Sequence, residues 1–425
     1  MRWLNFRYAK RRLAFWRAPG LALVLLLLAV GAPARTLHVG AGQPYPRLRV
    51  ALARAAEGDT VLVHPGVYQE GNLVLNRRVV LRGLGWPVLD GRHRDELLTV
   101  KAHGFELSGF VLRRSGQGSM IDYAGVKVYD SRDVYIHHNR LQDCFFGIYL
   151  SGCARGRVEY NTLQGDPDHQ TQNESGNGIH LWRCAQMHIR NNRISGHRDG
   201  IYFEFVTDSH IERNLSENNL RYGLHFMFSH DNTYQRNTFR DNGAGVAVMY
   251  SHGVRMQRNA FIDNRGASSY GLLLKDISDS YISDNTFEGN TVGVRLESAS
   301  RCILRRNRVE RNGWGMRLTA SCDQNYLTGN AFIGNTFDLA TNGTVMLNVL
   351  RGNFWDKYRG YDLDGDEVGD VPYHPLSAFS YAVEQLPAAI IFFRSPMVEV
   401  LDRTEKLVPS LTPAALVDLR PRIRL

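Results

Sequence analysis

From residue 125 onward, apolar and polar positions recur at a spacing far longer than any helical period. Gly125, Gly147, Gly178, Gly200, Gly223, Gly245, Gly271, Gly293 and Gly315 set the register, mostly 22 or 23 residues apart. The exceptions are a step of 31 at Gly147–Gly178 and one of 26 at Gly245–Gly271. One and three positions after each glycine the residues are apolar, as in Ile148/Leu150, Ile201/Phe203 and Leu224/Phe226, while the position between them varies. Such alternation with period two describes a strand. Further apolar positions fall eleven after the glycine (Ile189, Ile211, Tyr234) and two after a recurring asparagine (Leu163, Ile194, Phe239). Three short strands per repeat and no helical period predict an all-β protein, a right-handed parallel β-helix with coils of about 22 residues.

The asparagines are Asn139, Asn161, Asn192, Asn214, Asn237, Asn259, Asn285 and Asn307, each fourteen residues after its glycine, with Asn330 one residue late. Stacked coils turn them into a column whose amides can bond one another, with an Asn at a bend also tolerating unusual backbone angles. The column therefore reads as structure, without a catalytic role.

The ends differ from the repeat. Residues 1–34 combine a basic start, the apolar run "LALVLLLLAV" and "APA", the form of a cleaved export signal by the general route despite Arg11-Arg12. Removing its six basic residues takes the formal charge from +9 to about +3, which withdraws the compositional case for nucleic-acid binding. A short amphipathic helix over 45–56 is expected to cap the first coil and cover its strand edges. The β-helix is expected over 35–350, followed over 351–425 by an Asp-rich turn and an irregular, apolar docking tail. Five cysteines, Cys144, Cys153, Cys184, Cys302 and Cys322, form no scaffold pattern. Cys153 and Cys184 fall six after their glycines on adjacent coils, within disulfide reach.

Because coils stack, columns can be read from the register. Two after the glycine runs Tyr149, His180, Tyr202, His225, Ala247; four after runs Trp182, Glu204, Met227, Met249, Lys275; seven after gives His230 and His252. Both of the first two columns should face outward. The expected metal ligands are His225, Met227, Met249, His230 and His252, because thioether and imidazole together suit Cu(I). "DLDGDEVGD" offers Asp362, Asp364, Asp366 and Asp370 to a hard cation such as calcium. The inserted loop "QGDPDHQTQNESGN" carries Asp166, Asp168 and His169, which a polysaccharide lyase or epimerase could use as acid and base. Outward Tyr and Trp residues would suit sugar stacking.

The stretches "LHFMFSHD" and "AVMYSH", with the closing "NFWDKYRGYDLDGDEVGDVPYHP", resemble the NosD family of copper-maturation factors for nitrous oxide reductase. The resemblance spans the whole mature chain. It implies a periplasmic, non-enzymatic accessory subunit docked on an ABC transporter of membrane subunit NosY and ATPase NosF. Copper would come from the chaperone NosL, serve nitrous oxide reductase, and be held only transiently, and the apolar tail would dock on the membrane subunit. The lyase or epimerase is the competing reading.

Overall fold

The computed structural model describes residues 34–118, 121–166, 175–393, 395–408 and 415–425. The chain winds as a right-handed parallel β-helix of about 13 turns. Its three sheets, here A, B and C, have 14, 13 and 12 strands. Each coil visits C, then A, then B: Ala124–Tyr129, Tyr135–His137 and Arg140–Gln142 form one coil, and Phe146–Ser151 returns to C. The repeat glycines lie in sheet C, where the backbone of the next coil passes so close that a Cβ at Gly223 would sit 2.9 Å from the Gly245 carbonyl oxygen.

Inward residues of all three sheets form one continuous core. Leu224, Phe226, Tyr234 and Phe239 are at most 1% exposed, and rings stack from coil to coil, as in Phe261 on Phe287 at 4.6 Å. The asparagine column stands at the corner between sheets A and B. Asn237 is typical: its Nδ2 donates to Asn259 Oδ1 at 3.0 Å and to the Ile211 carbonyl at 2.9 Å, while its Oδ1 accepts from the Nδ2 and backbone N–H of Asn214. The amides of this column are thereby satisfied by neighbouring coils. The strained backbone is not at these asparagines, as the sequence suggested, but one residue earlier. Arg213, Arg236, Arg258, Asp284 and Arg306 all have φ between 51° and 57°. The left-handed residue makes the bend, and the asparagine after it is freed to ladder.

A second ladder, not anticipated from the sequence, runs five residues further on through Asn219, Asn242, Asn264, Asn290, Asn312 and Asn335. His197 takes the corresponding place on the coil before Asn219. It keeps the backbone bond to Asn219 Oδ1 at 3.1 Å, but neither ring nitrogen has a partner, and burial pushes its pKa down to about 4.

The ends are closed differently. Helix α1 (Leu48–Arg54), shorter than the 45–56 expected, buries Leu48 and Ala51 beside the first coils. At the other end pairing continues through Val349–Arg351 and Phe354–Trp355, so the ladder reaches Asn353. There the tail returns and supplies a carboxylate where another asparagine would stand. Asp418, fully buried, accepts from the Asn353 N–H at 3.0 Å, from its Nδ2 at 2.9 Å and from Trp355 Nε1 at 3.2 Å. Helix α2 (Ala378–Gln385) and helix α3 (Pro396–Leu407) lie on the outside of the last coils. Phe379, Val383 and Val398 pack there on Phe337, and Glu384 pairs with Arg317 at 2.8 Å.

Two substitutions test this account. Asp418→Ala strands three buried donors and should cost about 3 kcal/mol in urea unfolding, with Asp418→Asn costing less because one acceptor remains. For His197, an unfolded pKa near 6.5 against about 4 when folded means that the fold favours the neutral ring. Stability is then full above about pH 6.5 and falls as pH drops towards 4, by on the order of 3 kcal/mol. His197→Asn, which extends the second ladder, should flatten that slope; an unchanged pH profile would assign the acid sensitivity elsewhere.

Candidate functional site

Strands Tyr222–Met227 and Ala244–His252 of sheet C pair in register, so Met227 lies beside Met249 and His225 beside Ala247. Leu224, Phe226, Val246 and Val248 enter the core, and alternation sends His225, Met227 and Met249 to the outer face. Both methionines are half-buried and form part of a row that runs Trp182, Glu204, Met227, Met249, Lys275.

His225 departs from the expectation of an outward, available ligand. It is on the outer face but only 6% exposed, because Tyr202 and Tyr222 pack on its ring at 5.1 and 4.9 Å. Its Nδ1 lies 3.4 Å from an Arg221 amino nitrogen and 3.6 Å from Asp199 Oδ2, and its buried Nε2 has no partner. His230 and His252 do stack, with ring centroids 4.0 Å apart. They stand beyond the corner made by Phe228 and Tyr250, and the His252 N–H donates to His230 Nδ1 at 3.3 Å. Burial, then the neighbouring His252, lowers the His230 pKa. The structure thus joins the two methionines directly, keeps His225 on their face, and sets the His230–His252 pair around a turn.

Two neighbouring features escaped the sequence reading. Asp199, fully buried one residue before the repeat glycine, is held by Arg221 through Nε at 2.8 Å and an amino nitrogen at 2.5 Å. Burial pushes its carboxyl up, but Arg221 and His225 outweigh burial and hold it below the usual carboxylate range. The signal was a lone acid in a column otherwise reading Phe146, Asn177, Tyr222, Ala244 and Tyr270. The second feature is a stack of three exposed rings at that corner, Phe205, Phe228 and Tyr250, spaced 5.3 and 5.0 Å and all at φ near 50°. The left-handed angle belongs to the corner itself, since Asp130, Arg183, Asp276 and Ser298 take it on other coils, so what distinguishes these three coils is the aromatic side chain.

The remaining candidates are scattered. Asp362, Asp364 and Asp366 bring oxygens within 4.8 Å of one another. Asp362 already accepts from the N–H groups of Gly365, Asp366 and Glu367, and Asp370 instead receives Leu363 N–H at 2.7 Å. Cys153 and Cys184 are buried free thiols on adjacent coils, donating to backbone carbonyls, Cys153 to Ser151 and Cys184 to Trp182, each at 3.4 Å. Asp166 is half-buried beside the inserted loop; Asp168 and His169 lie outside the described residues. A depression of about 600 Å³ edged by Arg155, Arg157, His188 and His210 is on sheet A, whereas the methionine pair is on sheet C. No helix among the described residues is long and apolar enough to cross a membrane.

Residues 160–360, which hold both methionines and all three histidines, match the family model described as periplasmic copper-binding protein NosD. A Pseudomonas aeruginosa protein named probable ABC transporter binding protein NosD is 32% identical, with 98% of each chain covered. The chain belongs to the NosD family. A Stutzerimonas stutzeri NosD of the same description is 26% identical over 92% of each chain. Solved structures extend the likeness to the fold alone. The A-module of the Azotobacter vinelandii mannuronan C-5 epimerase AlgE4 superposes with a TM-score of 0.52 at 19% identity, over 70% of this chain and 87% of that one. The Streptococcus pneumoniae adhesin PfbA does so with 0.54 at 13%, over 77% and 93%. This β-helix architecture therefore serves an adhesin as well as an epimerase, and function within it lies in the side chains it displays.

Asp199→Ala leaves Arg221 without its buried partner and should cost about 3 kcal/mol in urea unfolding. The Asp199→Ala/Arg221→Met pair should cost less than the sum of the two single changes, and additivity would show that the two side chains are not coupled.

Proposed function

We propose that the protein is a periplasmic, non-enzymatic copper-transfer subunit that works beside an ABC transporter and serves the copper clusters of nitrous oxide reductase. Membership of the NosD family and the names of its relatives support the copper, the periplasm and the transporter. The observation that carries the reading is the in-register pair Met227 and Met249, two half-buried thioethers side by side on an open face. Soft sulfur selects Cu(I) over the hard cations, and imidazole accepts it. Met227 and Met249 would hold the cargo, with His225 on their face and His230 and His252 as the next donors along the surface.

On this reading copper arrives from the chaperone NosL and leaves towards the reductase. The membrane subunit NosY, driven by NosF, would meet the tail, where Leu386, Ile391, Met397 and Val400 are each more than 60% exposed. An apolar surface of that kind marks a contact site. The Asp362–Asp366 turn would take calcium as a clip; its internal hydrogen bonds already hold its shape, so the clip adds rigidity rather than creating the turn. A lyase or epimerase built on Asp166, Asp168 and His169 gains no specific support.

Titration of the purified chain with Cu(I) against a chromophoric chelator tests the assignment. Met227→Leu/Met249→Leu keeps volume and shape, so the fold should survive. Affinity should drop by about tenfold or more. Wild-type affinity in that double variant would remove the two methionines from the ligand set.

A further inference from the structure

The outer face of sheet C changes character along its axis. Two columns run side by side: Asn177, Asp199, Tyr222, Ala244, Tyr270, and Tyr149, His180, Tyr202, His225, Ala247, Leu273. After Tyr222 and His225 both become apolar and pack together with Val292 and Met249. Before that point they are polar, with Tyr149, His180 and Tyr202 half-buried and Asn177, Asp199 and His225 buried.

In this polar stretch three buried atoms have no partner: Asn177 Oδ1, Arg198 Nε and His225 Nε2. They are linked through their neighbours. Asn177 Nδ2 meets His180 Nδ1 at 3.0 Å, the His180 ring stacks on Tyr202 at 4.8 Å, and Tyr202 packs edge-on against His225. Arg198 and Arg221 stand on successive coils, the Arg221 N–H donating to the Arg198 carbonyl. Buried polar groups are nearly always paired, so a cluster of orphans is a place where something beyond the described residues can add the missing partners.

Ring geometry narrows what that is. Tyr149, His180 and Tyr202 stack on one another at 4.6 and 4.8 Å, so their faces are covered and no sugar can stack there, contrary to the expectation from composition. What the stack offers outward is edges bearing phenol hydroxyls. Burial pushes Tyr149 and Tyr202 up to about 12, which keeps both as donors. The His225 Nε2 is left beside them, buried and without a partner. Glu204, 3.5 Å from the Tyr202 hydroxyl, and Asn177 Oδ1 supply acceptors. These groups repeat at the coil spacing of roughly 4.8 Å, which suits a ligand that is itself a repeating chain.

We propose that this stretch of sheet C binds an acidic oligosaccharide, a run of uronate units lying along the solenoid axis. Arg198 and Arg221 meet its carboxylates, while Tyr149, Tyr202 and His225 meet its hydroxyl oxygens. The site shares His225 with the proposed copper ligands but uses neither methionine, and it needs no copper.

Calorimetric titration of the full chain with mannuronate, guluronate and galacturonate oligomers tests it, with maltooligosaccharides as neutral controls. Saturable binding of at least one uronate series and none of the controls is expected. Tyr149→Phe/Tyr202→Phe/Arg198→Gln, with an unchanged circular dichroism spectrum, should weaken it by about tenfold or more, and Met227→Leu/Met249→Leu should leave it intact. No binding of any uronate series, equal binding of the neutral controls, wild-type affinity in the triple variant, or loss in the methionine variant would each overturn the proposal.

Discussion

A buried carboxamide has two donors and an acceptor to satisfy, and here neighbouring coils do it: one N–H and the oxygen meet the same group one coil away, and the other N–H meets a backbone carbonyl. That constraint fixes everything outward of it. Nδ2 of Asn237 reaches Asn259 Oδ1 only when the two coils are in register, and the same holds from Asn139 to Asn353. A slip of one residue would break the ladder and turn every inward side chain out. The outer columns are therefore held as firmly as the core, although they contribute little to holding it. Asp418 shows how strict the requirement is: where the repeat runs out, the chain travels some 65 residues to return an oxygen to the ladder's last donors.

This strictness is why the architecture could be read from the sequence. Gly, apolar, variable, apolar and Asn recur because each coil must repeat the geometry of the last, and the pairings of Met227 with Met249 and of Tyr202 with His225 follow by counting. Counting stops at features that do not repeat. The positive φ of Arg236 and its equivalents leaves no trace in composition, since Arg, Asp, Tyr and Asn all occupy that place. Nor could a column of outward residues disclose that Tyr202 and Tyr222 would roof His225, because burial on an outer face depends on side-chain directions across coils. The second asparagine ladder was visible as a spacing of five, and His197 interrupts it at the coil where it begins.

Sheet C thus presents three surfaces in sequence on one rigid face: polar and hydrogen-bonding around His180 and Asp199, sulfur-bearing at Met227 and Met249, and apolar beyond Tyr270, where α2 and α3 close it. The tail stabilises the end of the solenoid and also decides how much of that face stays open. Phe379 and Val383 cover Phe337, while Leu386, Ile391 and Met397 are left exposed on the same segment. One stretch of chain hence serves as lid for its own sheet and as the apolar surface offered outward.

The spacing of the coils also bears on what the methionines can do. Metal–sulfur bonds are roughly 2.3 Å long, so two sulfurs facing each other across a soft cation stand about 4.6 Å apart. Coils stack at roughly 4.8 Å, nearly the same distance. A pair of stacked thioethers can therefore hold Cu(I) between them with little movement of the backbone, the flexible methionine side chains taking up the difference. The rigid ladder that provides the match also limits it, since the neighbouring places in the same row are Glu204 and Lys275, neither of them a soft donor. The ion would be left with an incomplete shell, open to any thioether or imidazole brought up by a partner. Under the proposed copper role, such a site would exchange its cargo readily, which is what transfer requires and what storage would have to prevent.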